Sequence, residues 1–330
     1  MRPFKAFVVA EAEEKRFTSS IQERCVEDLP AGEVLIRVNY SSLNYKDALS
    51  ATGNRGVTKR YPHTPGIDAA GIVEETASKI FKTGDRVLVT GYDLGMNTSG
   101  GYGQYIRVPA EWVVPLPAGL SLRESMIFGT AGFTAGLSVS ALIAEVRPED
   151  GEILVTGSTG GVGSIAVSIL AKLGYRVIAV SGKPEAADFL TGLGASGVMG
   201  REEAIDTSGR PLLNGRWAGV VDTVGGDMLI TALKSTQPFG IVTCCGNVAS
   251  VDLPMTVFPF ILRGVRLQGI NSQNCPMAKR LRVWEKLAGD WKFKQLGDLC
   301  KEISTAQLNE NITLILAGKQ RGRVLVNLDL

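Results

Sequence analysis

The stretch that decides the fold is ILVTGSTGGVG, residues 153–163, a short apolar run followed by a glycine-rich turn. Residues 153–155 have the continuous apolar character of a buried parallel strand. From Val162 to Leu173 apolar side chains recur at helical spacing, so one helix face can pack on a sheet. Glycine permits a tight turn, and the N-terminus of a helix attracts an anion. We therefore expect this segment to hold the pyrophosphate of a dinucleotide.

A second strand, at residues 176–180, leads into Ser181, Gly182 and Lys183. Where such a unit binds NAD, an Asp or Glu near this point usually accepts the ribose hydroxyls. A hydroxyl and an ammonium instead suit a 2′-phosphate, so the sequence predicts NADP(H). The alternative for Lys183 is a solvated residue in front of a helix that begins at Pro184.

The bulk properties are those of an ordinary globular protein. The 330 residues are enough for two domains, and a net charge of +2 argues against nucleic acid as a main partner. We find no stretch that resembles a signal peptide or a membrane span. The five cysteines lack the spacing of a metal site or a disulfide framework, so we expect reduced thiols in a cytoplasmic protein.

Two regions differ in pattern. Residues 1–115 carry short strand signals, whereas strands and helices alternate over residues 122–270, which predicts a doubly wound parallel sheet. We expect an α/β protein with a mostly β catalytic domain (residues 1–121 and 295–330) and a Rossmann domain (residues 122–294), the active site lying in the cleft between them. A final strand at residues 322–326 returns to the first domain. The apolar segment 250–261 fits either an exposed edge for subunit pairing or internal core.

Several segments together resemble the medium-chain dehydrogenase/reductases. They are SSLNYKD (41–47), PGIDAAG (65–71), GTAGFTA (129–135), TGSTGGVG (156–163) and PFILR (259–263). Within that superfamily the whole chain is most similar to the zinc-independent quinone oxidoreductase branch, and there to the acryloyl-CoA reductase group. The resemblance implies a GroES-like catalytic domain, a Rossmann domain and a homodimer.

The sequence argues against a bound metal. Zinc-dependent members of the superfamily carry Gly-His-Glu where this chain has Gly66-Ile67-Asp68, and Ile67 cannot bind a metal. The single histidine, His63, lies just upstream, but a catalytic zinc needs about three protein ligands. We expect no metal, with His63 in a loop or packing role and Asp68 making structural hydrogen bonds.

A site without a Lewis acid suits hydride addition to an activated C=C better than reduction of a simple ketone. We expect NADPH to reduce an α,β-unsaturated carbonyl compound, with hydrogen-bond donors stabilising an enolate-like oxygen. The resemblance favours acryloyl-CoA as the acceptor. The alternatives are a broad quinone and enone oxidoreductase, or a non-catalytic protein that binds NADPH.

The candidate catalytic residues are Asn44, Tyr45 and Asp47, a polar cluster that follows a predicted strand. By the resemblance, Tyr45 lines the nicotinamide pocket, and Asn44 and Asp47 orient the substrate or relay a proton. In the alternative interpretation, Asn44 and Asp47 cap a helix and Lys46 is solvated.

The resemblance also implies a set of cofactor contacts. They are Tyr45, Thr159, Gly160, Gly161, Val162, Ser181, Lys183, Arg201, Asn247, Ile261 and Ser272. Arg201 is either a second cation for the 2′-phosphate or a surface residue, and Ile261 is either a contact or core. The resemblance leads us to expect an apolar residue at position 247. Because Asn247 departs from that pattern, we expect it to contact the cofactor through its backbone.

A basic segment follows the polar cluster and suits the phosphates of a CoA ester. It comprises Arg55, Lys59 and Arg60, with Arg323 as a weaker candidate. The alternative is a solvated basic face.

Overall fold

The computed structural model describes residues 1–13 and 16–330. It divides into two compact units. Unit 1 comprises Met1–Thr130, Gln273–Ala288 and Leu296–Leu330, and unit 2 comprises Ala131–Ser272 and Gly289–Gln295. Residues 122–130 and 273–288, which the sequence assigned to the Rossmann domain, thus lie in unit 1. The side chain of Arg280 holds the second of these segments there, because it donates to the carbonyl and the hydroxyl of Thr90.

The described residues form both helices and strands. In chain order they are β1 (Pro3–Glu11), β2 (Phe17–Cys25), β3 (Val34–Leu43), α1 (Tyr45–Ala51), β4 (Asp68–Thr76), β5 (Arg86–Thr90), β6 (Tyr105–Val108), β7 (Val114–Pro115), α2 (Leu122–Ile143), β8 (Glu152–Val155), α3 (Gly161–Lys172), β9 (Arg176–Ser181), α4 (Ala187–Gly192), β10 (Gly197–Gly200), β11 (Trp217–Asp222), α5 (Gly226–Ser235), β12 (Thr236–Cys244), α6 (Phe258–Arg263), β13 (Arg266–Gly269), α7 (Met277–Ala288), β14 (Cys300–Ser304), α8 (Leu308–Leu316) and β15 (Arg323–Asn327).

Unit 1 is built on β-structure, as predicted. Its seven-stranded sheet has the order β14-β15-β3-β4-β5-β7, with β6 also paired to β3, and β1 pairs with β2 in a separate ribbon. The last strand, β15, runs antiparallel to β3 with Val324 opposite Leu43. The prediction that the C-terminal strand returns to the first domain is therefore confirmed. The sheet buries a core that includes Val38, Val89 and Val326.

Unit 2 contains a six-stranded sheet of order β10-β9-β8-β11-β12-β13. Every pair in it is parallel. Helices α3, α4, α5 and α6 connect β8 to β9, β9 to β10, β11 to β12 and β12 to β13. The chain turns to one side after β8 and to the other side at β11, which is the strand order of a doubly wound sheet. The Rossmann prediction is confirmed. Such a sheet collects the loops that follow its strands at one edge.

Helix α2 is long and apolar enough to cross a membrane by length and composition, with a mean hydropathy of 1.6 over its most apolar window. The expectation that no stretch approaches a membrane span was wrong in that respect. However, 78% of that window is buried inside the structure, and the core helix of a soluble protein passes the same test. The helix is kinked at Gly129, whose φ is +51°.

Candidate functional site

The glycine-rich turn after β8 has the backbone geometry that a dinucleotide phosphate needs. Gly157 has a positive φ of 58°. A Cβ built on Gly163 would lie 2.4 Å from the carbonyl oxygen of Gly157, so a larger residue would push helix α3 away from the turn. Gly160 is the N-cap of α3 and offers no side-chain cap, which leaves the first N–H groups of the helix for an anion. The predicted contacts on this turn are Thr159, Gly160, Gly161 and Val162.

A buried carboxyl group, which the sequence reasoning missed, supports this turn. Asp222 ends β11 and is fully buried. Its carboxylate accepts hydrogen bonds from the Thr156 hydroxyl at 2.7 Å and from the Gly225 N–H at 2.9 Å. Burial raises the pKa of Asp222, although these hydrogen bonds oppose the shift. An aspartate directly after a buried apolar strand was the available sequence signal. Asp222 ties together the loops that follow two neighbouring strands, β8 and β11.

The structure brings the predicted 2′-phosphate residues together. Gly200 at the end of β10 pairs with Ser181 at the end of β9, so Arg201 emerges beside the Ser181 loop. A Cβ built on Gly182 would lie 2.9 Å from the Arg201 guanidinium, which means that the arginine covers this glycine. The Lys183 N–H donates to the Ser181 hydroxyl at 3.0 Å. Arg201 is exposed and has no ion pair among the described residues.

Three further predicted contacts lie in loops or on a helix of unit 2. Asn247 follows β12 and Ser272 follows β13, and these strands end side by side with Cys244 opposite Gly269. A Cβ built on Gly225 would lie 3.2 Å from Asn247 Cα, so the backbone at Asn247 passes close to the start of α5. Ile261 on α6 is 67% exposed, and the alternative that it belongs to the core is wrong. Their contact with a cofactor stays a prediction.

Asn44 and Asp47 are joined at the start of helix α1. The backbone N–H of Asn44, the N-cap, donates to Asp47 Oδ2 at 2.8 Å. The other oxygen, Asp47 Oδ1, accepts from the N–H groups of Ile67 at 2.8 Å and Gly66 at 3.2 Å. Asp47 is fully buried. The capping interpretation therefore describes its hydrogen bonds, and the role of Asp47 toward a substrate stays a prediction.

Asn44 also joins a buried polar network around Asp68. Its side-chain amide donates to Asp68 Oδ2 at 2.8 Å and accepts from the Arg323 guanidinium at 3.2 Å. Arg323 donates to the Ser42 hydroxyl as well, and that hydroxyl donates to Asp68 at 2.5 Å. A Cβ built on Gly129 would lie 2.5 Å from Asp68 Oδ2, so glycine is needed at the kink of α2. The predicted structural role of Asp68 is what these bonds provide.

The network shifts the pKa values of Asp47 and Arg323. Burial and the nearby Asp68 carboxyl raise the pKa of Asp47 to about 7, although the hydrogen bonds from Ile67 and Asn44 lower it. Burial lowers the pKa of Arg323, and the Asp68 and Asp47 carboxyls oppose that shift. Arg323 is only 3% exposed, so the suggestion that it binds the phosphates of a ligand was wrong.

Tyr45 and Lys46, on the first turn of α1, differ from Asp47 in accessibility. The Tyr45 side chain is exposed. Lys46 is half-buried, and its ammonium donates to Gln273 Oε1 at 2.6 Å. The alternative that Lys46 is simply solvated is wrong. Gln273 lies 227 residues away in the chain, and no local pattern pointed to it.

The side chains of the basic segment after α1 differ in whether they form ion pairs. The Arg55 guanidinium pairs with Glu11 and lies over the Tyr61 ring at 5.2 Å. These contacts leave Arg55 a structural role. Lys59 and Arg60 are exposed and have no ion pair among the described residues.

The comparisons with known proteins agree with both halves of the structure. Residues 30–118 match the family described as Alcohol dehydrogenase GroES-like domain, and residues 161–288 match Zinc-binding dehydrogenase. The chain is 45% identical to acrylyl-CoA reductase AcuI of Ruegeria pomeroyi over 328 residues, which cover 99% of each chain. The chain belongs to the quinone oxidoreductase branch of the medium-chain dehydrogenase/reductases. Its relatives are oxidoreductases by name.

Solved structures of this branch have the same fold. The structure of Escherichia coli K-12 YhdH with bound NADPH is 43% identical, with a TM-score of 0.94 and coverage of 98% of this chain and 99% of that chain. Bacillus subtilis YhfP with NAD bound is 44% identical, with a TM-score of 0.96 and coverage of 99% and 100%. The first of these structures contains NADPH and the second contains NAD.

The residues of this chain do not fit the zinc ion that gives the second matched family its name. Ile67 occupies the position of the expected ligand, and its N–H is bonded to Asp47. His63 is buried, its backbone pairs with Val9, and burial lowers the pKa of its imidazole. Among residues 1–13 and 16–330, no three His, Cys, Asp or Glu side chains are grouped so as to hold a metal ion.

Proposed function

We propose that this protein is an NADPH-dependent reductase that adds hydride to the activated C=C of an α,β-unsaturated carbonyl compound, with acrylyl-CoA as the favoured acceptor. Its identity to acrylyl-CoA reductase AcuI of Ruegeria pomeroyi over nearly the whole of both chains supports this acceptor. The observation that carries the cofactor preference is the loop of Ser181, Gly182 and Lys183 with Arg201 beside it. Two cations and a hydroxyl suit a 2′-phosphate.

The residues that would hold the cofactor lie in unit 2. The turn of residues 157–163 would bind the pyrophosphate through backbone N–H groups. Ser181, Lys183 and Arg201 would bind the 2′-phosphate. When bound, NADPH supplies a hydride. We further propose that Asn247, Ile261 and Ser272 complete the set of contacts.

Unit 1 would supply the groups that meet the acceptor. Hydride addition at the β-carbon moves negative charge onto the carbonyl oxygen, which needs donors. We propose that Tyr45, exposed on the first turn of α1, contacts bound ligands. Asn44 and the buried Asp47 would act as positioning residues, because they fix the start of that helix.

Lys59 and Arg60 are our candidates for the phosphates of a CoA ester, since both are exposed cations without an ion pair among the described residues. Replacing Arg60 by Glu should raise the KM for acrylyl-CoA about tenfold and leave the KM for a free enone unchanged. Arg86→Glu is the control, because Arg86 is also exposed in unit 1. Equal effects on both acceptors would contradict CoA recognition at Arg60.

The first experiment follows NADPH oxidation with acrylyl-CoA, benzoquinone and a simple enone in parallel, and repeats each with NADH. Rapid turnover of acrylyl-CoA alone supports the proposal. Comparable rates with quinone and enone would favour the second candidate, a broad oxidoreductase, which has support in the 33% identity to quinone oxidoreductase of Sus scrofa over 52% of this chain. Binding of NADPH without turnover of any acceptor would favour a non-catalytic protein.

The cofactor preference has its own test. Lys183→Ala should raise the KM for NADPH about tenfold or more and change the KM for NADH little, because only NADPH carries the 2′-phosphate. Lys172→Ala is the control, since Lys172 is an exposed lysine of the same unit whose ammonium donates to the Lys292 carbonyl. A wild-type preference for NADH would refute the interpretation of Ser181 and Lys183.

We also propose a cytoplasmic homodimer that has neither nucleic acid nor membrane as a partner. The segment 250–261 and its continuation on α6 expose several apolar side chains, beside the edge strand β13. They are Val251, Val257, Phe258, Ile261 and Leu262. All five cysteines are free thiols, as expected of a reducing compartment. Sedimentation measurements of the purified protein would test the dimer.

A further inference from the structure

The ammonium of Lys46 is hydrogen-bonded but forms no ion pair within 4.0 Å among the residues that the structure describes. Its Nζ lies 2.6 Å from Gln273 Oε1 and 3.9 Å from the Met96 sulfur, and both of these partners are neutral. No described carboxylate lies within 4.0 Å of it, although Asp47 is its neighbour in the chain. A half-buried cation without an ion pair is costly, so its retention calls for an explanation.

The glutamine that orients Lys46 is itself fixed by backbone contacts. The Gln273 carbonyl accepts hydrogen bonds from the Tyr92 N–H at 3.0 Å and from the Arg280 guanidinium at 3.1 Å. The Lys46 ammonium is therefore hydrogen-bonded to the side chain of a residue whose backbone is itself bonded on two sides. Of the three N–H donors of its ammonium, the described contacts use one on the amide and one, weakly, on the sulfur. One donor remains for a ligand.

We propose that the Lys46 ammonium donates to the carbonyl oxygen of the acceptor and stabilises the negative charge that develops there. This inference rests on the proposed function. A reduced nicotinamide would supply the hydride, so that its C–H bond breaks as a C–H bond forms at the β-carbon of the acceptor. The π electrons of the C=C would shift to give an enolate whose oxygen accepts from Lys46. A solvent proton would then bond to the α-carbon as the carbonyl re-forms. The lysine keeps its own proton throughout.

The electrostatic surroundings give this role a pH signature. Burial lowers the pKa of Lys46, and the Asp47 carboxyl opposes the shift, while the contacting Gln273 and Met96 carry no charge. Activity that needs the charged form should fall as the pH rises through the pKa of Lys46. That fall should come at a lower pH than an ordinary lysine would give. An arginine stays charged over the same range and should remove the fall.

The experiment compares Lys46→Met, Lys46→Arg and the control Lys82→Met, which alters an exposed lysine of the same unit. Removal of one oxyanion donor typically lowers kcat by about 100-fold or more, so we expect such a loss in Lys46→Met with acrylyl-CoA and a free enone alike. Lys46→Arg should keep part of the activity and lose the alkaline fall. Unaltered thermal unfolding and NADPH binding would show that the variants are folded.

A second readout is independent of turnover. Nitrogen NMR of labelled lysine side chains, with Lys46→Met for assignment, should show a depressed pKa that Gln273→Glu raises, because a carboxylate would replace the neutral amide. Activity of Lys46→Met within about threefold of wild type overturns the inference but not the proposed function. A wild type that reduces neither acceptor overturns both. An ordinary Lys46 pKa, unmoved by Gln273→Glu, overturns the inference.

Discussion

Replacement of Arg323 by Met should destabilise unit 1 severely. Arg323 donates to the Ile127 carbonyl at 2.9 Å, to the Ser42 hydroxyl at 2.8 Å and to the Asn44 side-chain oxygen at 3.2 Å, and it lies 4.0 Å from Asp68 Oδ2. At that distance the charge attraction is about 4 kcal/mol with an effective dielectric constant of ~20. Breaking a buried ion pair by removing one partner typically costs about 3–5 kcal/mol. We expect a loss of about 4 kcal/mol in the free energy of unfolding.

Urea unfolding followed by circular dichroism measures this loss, with Arg86→Met as the control at an exposed arginine. A double-mutant cycle compares Arg323→Met, Asp68→Asn and the variant that carries both substitutions. An asparagine at position 68 keeps an oxygen that can accept the hydrogen bonds which Ser42, Asn44 and the Thr130 N–H donate to Asp68 Oδ2. Its NH₂ group would replace Oδ1, and there the Thr130 hydroxyl can accept a hydrogen bond where it now donates one. The double variant should therefore lose at least about 2 kcal/mol less than the sum of the single variants.

Two results would refute this reasoning. A loss below about 1 kcal/mol would mean that Arg323 is not the counter-ion of a buried carboxylate. A rise in KM for acrylyl-CoA alone, with stability unchanged, would return Arg323 to the role of a phosphate ligand. A structural role predicts that both acceptors are affected alike.

Two further predictions concern the nucleotide turn and Asp47. Gly163→Ala places a Cβ 2.4 Å from a backbone oxygen that cannot move aside, so thermal unfolding and NADPH titration should show a loss of about 1–3 kcal/mol and weaker binding. Gly192→Ala, where a Cβ meets nothing within 4 Å, should show neither. Because its pKa is raised from 3.8 to about 7, Asp47 contributes stability that is complete below the lower value and is lost as the pH rises through the upper one. The stability advantage of wild type over Asp47→Asn should shrink by roughly 4 kcal/mol across that window, and a constant difference in urea unfolding would contradict the shift.

Local patterns in the sequence were enough for the fold class and the nucleotide turn. The apolar run at residues 153–155, the glycines after it and the helical repeat from Val162 depend on neighbours within a few residues, and the structure reproduces them as β8, the turn and α3. The loop of Ser181 and Lys183 could also be predicted, because the end of a parallel strand places its loop at a known edge of the sheet. The boundary between the units was harder to predict from the sequence, because Arg280 holds helix α7 against β5 through side-chain contacts that no local pattern encodes.

Tertiary structure alone decided the buried electrostatics of unit 1. Nothing in the local sequence around Asp47, Asp68 and Arg323 indicates that the three residues meet, yet sheet pairing of β15 with β3 draws them into one network without access to water. Lys46 acquires its partner Gln273 in the same way, across 227 residues of chain. Sequence periodicity records which face of an element is apolar. It does not record which distant donor meets a buried carboxylate, because that depends on how the elements close around one core.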